Sequence, residues 1–213
     1  MRPFLFAILA ASLTAAFVSS FALTRVLVTS SPAGSETEAV VKQLRTVRVV
    51  ADRPTVTGYK RERFDVWAGS ADCNTRHKVL AAWFGGSACS LDDGSPREIP
   101  DPYTGDPVGA HEVDIDHIYP LAAAWDFGAY AWDPERRRQF ANDIETNLVP
   151  TRSAVNRDKG DASPAEWLPE DAKACDYSHR YLAVAIKWDL PVSSADWKAM
   201  ATACGIRARK GTK

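Results

Sequence analysis

Val113-Asp-Ile-Asp-His-Ile-Tyr-Pro120 and, thirty residues after His117, Asn147-Leu-Val-Pro-Thr-Arg-Ser-Ala-Val-Asn-Arg-Asp-Lys-Gly-Asp161 carry the strongest structural signal in the chain. The first reads as a strand stopped soon after His117 by Pro120, and Asp114 and Asp116 share one of its faces. The second opens on apolar Leu148 and Val149, and Ser153 can then cap a short helix on which Asn156 and Lys159 lie one turn apart. An adjacent Asp and His can divide the work of a hydrolysis. A neutral imidazole takes a proton from water, while a carboxylate offers a hard oxygen to a divalent cation. Asn156 could supply the second oxygen.

Three spacings carry a family likeness: Asp116 directly before His117, Asn147 ahead of the second apolar run, and Asn156 nine residues on with Lys159 following. This constellation resembles the His-Asn-His (HNH) endonuclease motif. Further stretches extend the likeness, among them Cys73-Asn-Thr-Arg76, Asp101-Pro-Tyr-Thr-Gly105, Ala122-Ala-Ala-Trp125 and Ala165-Glu-Trp-Leu-Pro169. Together they resemble exported HNH proteins related to the GmrSD-type C-terminal nuclease domain, from Tyr59 to Cys204.

The resemblance implies an α+β fold with a ββα-metal (His-Me finger, HNH) core over 112–161, extended by further helices and a small β-hairpin. It implies a metal-dependent endonuclease cutting phosphodiester bonds with weak sequence specificity, on DNA rather than RNA. In it His117 is the general base, Asn147 ties the loop between the strands and orients the His, and Lys159 contacts phosphate. Asp116 and Asn156 hold one divalent cation. Asn156 stands where many relatives carry His; imidazole suits zinc or nickel, whereas an oxygen pair favours magnesium or manganese. Two alternatives remain: an inactive exported binding module with an HNH-like fold, and a hydrolase of another ester or amide. Asp114 reads equally as a support to the site or a solvated acid; His77, His111 and His179 read as structural.

Length and composition bound the rest. With 213 residues, 46% hydrophobic and 25% charged, the chain is one globular domain plus an N-terminal appendage. A folded part of about 180 residues buries roughly 70% of its unfolded surface, enough to fold alone as a monomer. Pro3 to Thr24 is free of charges between Arg2 and Arg25, which reads over 1–25 as a signal peptide or a signal anchor. Export follows from either, to the medium or to the outer face of the cytoplasmic membrane, with membrane contact only for the uncleaved form. A linker over 26–39 and a nuclease domain over 40–213 complete the expected organisation.

Four cysteines, Cys73, Cys89, Cys175 and Cys204, fit an exported disulfide protein. Three pairings are possible, and the local one, Cys73 with Cys89 and Cys175 with Cys204, keeps the bridges clear of the 112–161 core. No Cys-x-x-Cys pair supports a zinc knuckle. Net charge argues against broad nucleic-acid affinity: the chain is at −1, and without Arg2 and Arg25 it holds 24 basic against 27 acidic residues. A basic face must therefore be local, and Arg152, Arg157 and Lys159 are its expected members beside the motif.

Elsewhere, helices are expected over Asn74 to Phe84, Leu121 to Phe127, Pro134 to Ala141, Ala172 to Trp188 and Ser194 to Cys204, with Asp133 as a cap and Ser163-Pro-Ala-Glu166 as a capping box. A hairpin around Asp92-Asp-Gly94 and a turn at Asp101 to Gly105 lead into the strand over 112–118. Trp125, Trp132, Trp167 and Trp188 read as packing residues rather than base-stacking ones.

Overall fold

The computed structural model describes residues 32–87, 89–91 and 98–206, which form one compact mixed α+β unit. The expected export segment, the expected turn at Asp92 to Gly94 and the basic residues from Arg207 onward lie outside these residues. Helix α1 (Pro32–Thr46) occupies much of the expected linker, with Pro32 at its first position. The helix continues outward from a buried stripe of Val40, Leu44 and Val47 that packs on α6 (Asp171–Trp188), so the folded part begins ahead of Val40.

Among the described residues the strands are paired two by two. β1 (Val49–Val50) runs parallel to β10 (Val192–Ser193); β2 (Gly69–Ser70) with β3 (Cys73–Asn74), β4 (Gly86–Ser87) with β5 (Ser90–Leu91), and β6 (Glu98–Pro100) with β7 (Pro107–Gly109) are antiparallel. Helix α2 (Thr75–Phe84) starts at a reciprocal cap in which Asn74 accepts from the His77 amide and the His77 ring accepts from the Asn74 amide. His77 is thereby a capping residue. The last helix, α7 (Ser194–Ala203), has the same device from Ser193 and Asp196.

The longest pairing joins β8 (Val113–His117) to β9 (Leu148–Arg152), with Asp116 opposite Val149 and His117 opposite Leu148. Between them lie α3 (Leu121–Asp126) and α4 (Pro134–Ala141), the latter capped by Asp133 with Pro134 at its first turn. Helix α5 (Ser153–Lys159) follows β9 without a loop and packs on β8. Ser153 is not its cap. Arg152 occupies that position, and the Ser153 hydroxyl donates to the Glu112 carbonyl at 3.2 Å, fastening the helix start to the residue ahead of β8. The Ser163 box is likewise half formed: Glu166 accepts from the Ser163 amide, but the Ser163 hydroxyl donates to buried Asp196 at 2.6 Å.

Rings from several elements fill the core. Tyr119 stacks on Tyr181 at 4.6 Å, Phe140 meets Trp132 and Trp188 edge-on, and Trp125 and Trp167 pack into the same cluster. The disulfides are the local pairs, Cys73–Cys89 and Cys175–Cys204. The second ties the first turns of α6 to the end of α7.

Candidate active site

His117 ends β8, where only 5% of its surface remains exposed. Its Nε2 lies 2.9 Å from the Ala141 carbonyl at the end of α4. A carbonyl only accepts, so Nε2 carries the proton and Nδ1 bears the free lone pair. Burial, with the nearby positive charges of Arg61 and Lys159, lowers the imidazole to about 3, against a raising contribution from the Ala141 bond. At neutral pH the ring is therefore neutral. Trp67 packs against it, ring centroids 6.0 Å apart.

Asn147 is fully buried and acts two residues beyond His117. Its Oδ1 accepts from the Tyr119 amide at 2.9 Å, and its backbone carbonyl accepts from the Ile118 amide at 2.9 Å. It thus fixes the chain leaving β8, while the ring itself is held by Ala141. The helical segment between the strands is a part of the site that motif spacing alone could not place.

Asp116 is as buried as its neighbour. Lys159 reaches both of its oxygens, at 3.1 Å for Oδ1 and 2.9 Å for Oδ2, and donates to the His117 carbonyl at 3.0 Å. Its ammonium is buried, bonded to Asp116 Oδ1 and the His117 carbonyl and ion-paired with Oδ2, so it is directed inward and not at a phosphate in solvent, unlike the contact expected of it. Because α5 packs on β8, the face carrying Lys159 turns inward and its stem bridges helix and strand. Tyr103, from the Asp101-Pro-Tyr-Thr-Gly105 turn, completes the cluster with a 2.6 Å bond from its hydroxyl to Asp116 Oδ2. Burial and the adjacent carboxylate push the Tyr103 phenol well above its ordinary value, keeping it a donor. Burial also raises the Asp116 carboxyl, opposed by Lys159 and Tyr103.

Asp101 positions that turn. Fully buried, it accepts from the amides of Tyr103 and Arg152 and from the Thr151 hydroxyl, binding the turn to β9. Tyr103 and Asp101 are supports of the cluster that site spacing did not reveal; their signal lay in the Asp-Pro-Tyr-Thr-Gly run.

His117, Asp116 and Asn156 line one cavity of about 270 Å³, together with Tyr59, Arg61 and Arg157. Asn156 is half-buried, and among the described residues its carboxamide has no hydrogen-bond partner. Arg157 is exposed at the cavity. Arg152 is elsewhere: its guanidinium bonds Glu112 and the Pro107 carbonyl, both at 2.9 Å, pinning β9 to the preceding turn. Asp114 does not line the cavity either. A larger cleft of about 730 Å³ beside α6 and α7 has Lys198 as its one ionisable lining group among the described residues.

No three His, Cys, Asp or Glu side chains cluster as a metal cage among the described residues. A cation at this cavity would rest on oxygens of Asp116 and Asn156. The Asp116 carboxylate already accepts from Lys159 on Oδ1 and from Tyr103 on Oδ2, so a cation would share it with both. Two protein oxygens, with water or phosphate completing the shell, fit the way magnesium is held better than a zinc site.

Residues 76–203 match the family described as GmrSD restriction endonucleases, C-terminal domain. An uncharacterized secreted protein of Arthroderma benhamiae is 34% identical over 193 residues, covering 84% of this chain and 93% of its own length. No solved structure matches.

Proposed function

The chain belongs to the family of GmrSD restriction endonuclease C-terminal domains, and from that premise we propose that it is an exported, metal-dependent HNH endonuclease hydrolysing phosphodiester bonds in DNA. The observation that carries the reading is His117: a neutral imidazole at a strand end, Nε2 fixed on Ala141, in one cavity with Asp116 and Asn156. The β8–β9 pair followed directly by α5 supplies the ββα core. Nδ1 takes a proton as water attacks phosphorus and the P–O bond to the leaving oxygen breaks, a role typically worth 10²- to 10⁴-fold. Asp116 and Asn156 hold one magnesium or manganese ion, which when bound stabilises charge on the phosphate and leaving oxygen. Lys159 and Tyr103 orient Asp116, and Asn147 fixes the chain behind the base.

Export rests on the two disulfides and on the secreted relative. DNA as substrate rests on the family's description as restriction endonucleases. A second reading, a binding module without activity, draws on the occupation of Asp116 by Lys159 and Tyr103. Incubation with supercoiled plasmid separates the two. Nicking in magnesium or manganese that stops with EDTA supports the nuclease; DNA binding without nicking in either metal supports the module and overturns the enzyme.

A further inference from the structure

Two guanidiniums face the cavity without a carboxylate of their own. Arg61 comes from a 3-10 turn (Arg61–Phe64) and Arg157 from α5; both are exposed, line the cavity with His117, and have no ion pair or hydrogen bond among the described residues. Their neighbours differ: Arg53 is held by Asp126, Arg138 by Asp65, Arg152 by Glu112 and Lys159 by Asp116. Asp161 is the acidic group at the cavity besides the already paired Asp116. Arg61 is also placed by its surroundings. Its guanidinium lies 5.9 Å from the centroid of Trp67, which in turn packs on the His117 ring, and its charge is felt there. Trp67 holds a positive φ of 61°, so this wall is built from backbone that a bulky residue adopts only when its surroundings require it.

We propose that Arg61 and Arg157 form a two-point clamp on the phosphodiester backbone, Arg61 being a substrate-contacting residue contributed from outside the matched family segment. The inference rests on the nuclease reading above. Guanidinium is the side chain best suited to phosphate, presenting a planar fork of donors. The cavity, at about 270 Å³, is below the roughly 300–1,000 Å³ of pockets that enclose a drug-sized ligand. It admits a short piece of backbone while the rest of a polymer lies outside. In a chain of net charge −1, two cations kept free at the base are the local attraction such a substrate needs.

The test measures binding of a fluorescein-labelled duplex oligonucleotide by the full chain carrying His117→Gln, in magnesium, over a range of salt. Adding Arg61→Ala or Arg157→Ala is expected to weaken binding about five- to tenfold. Each should also reduce the magnitude of the slope of log K against log salt by about 0.9, the value for one lost phosphate contact on duplex DNA. Arg45→Ala, on the exposed side of α1, should change neither. Arg61→Ala binding with unchanged affinity and slope overturns the clamp and leaves the nuclease reading standing. Weaker binding at an unchanged slope also overturns it, because that signals a distorted wall instead of a lost contact. If the His117→Gln chain binds no DNA and the parent nicks none, both inferences fall together.

Discussion

The ammonium of Lys159 and the imidazole of His117 meet opposite demands within one buried cluster. Lys159 is bonded to Asp116 and the His117 carbonyl, whereas burial lowers the His117 imidazole and keeps it neutral, with only a carbonyl facing its Nε2. Removing one partner of a buried pair leaves the other uncompensated, which costs about 3–5 kcal/mol. Lys159→Ala should therefore lower stability by that amount in urea or thermal unfolding. A lysine that only touched substrate phosphate would leave unfolding unchanged on removal. At this scale the sequence singled out residues that the fold brings to one cavity, but not all of their partners. Asp116, His117 and Asn156 meet at one cavity, but Arg152 turns to Glu112, and Arg61 and Tyr103 arrive from segments no local spacing connects to the motif.

Elements were more legible than contacts. The strand expected over 112–118 is β8 at 113–117, and the Asp133-Pro134 signal marks the start of α4, because periodicity and capping are local properties. Residues 32–39, polar enough to resemble a linker, continue α1, whose buried Val40 and Leu44 pack against α6, a partner more than a hundred residues away. The bridge between Cys175 and Cys204 belongs to this scale, since it locks α6 to α7 across a loop of 29 residues. In the loop-entropy picture such a bridge is worth about 3 to 4 kcal/mol. Replacing both cysteines with serine should lower the melting temperature by roughly 10 °C. An unchanged melting temperature would show that packing alone holds the two helices together.

Across the whole molecule, a near-neutral chain concentrates its chemistry in one small cavity where strand β8, helix α5, the carbonyl at the end of α4 and the Tyr59–Trp67 segment converge. The Asp101 turn and the Cys175–Cys204 staple support that convergence from outside it. Activation of the attacking water by His117 is tested by comparing the parent chain and His117→Ala in plasmid nicking with magnesium or manganese, with unfolding curves to establish that both proteins are folded. Loss of the imidazole base should slow nicking about 10²- to 10⁴-fold with the folded state retained. Nicking by a folded His117→Ala chain at the parent's rate would rule His117 out as the base.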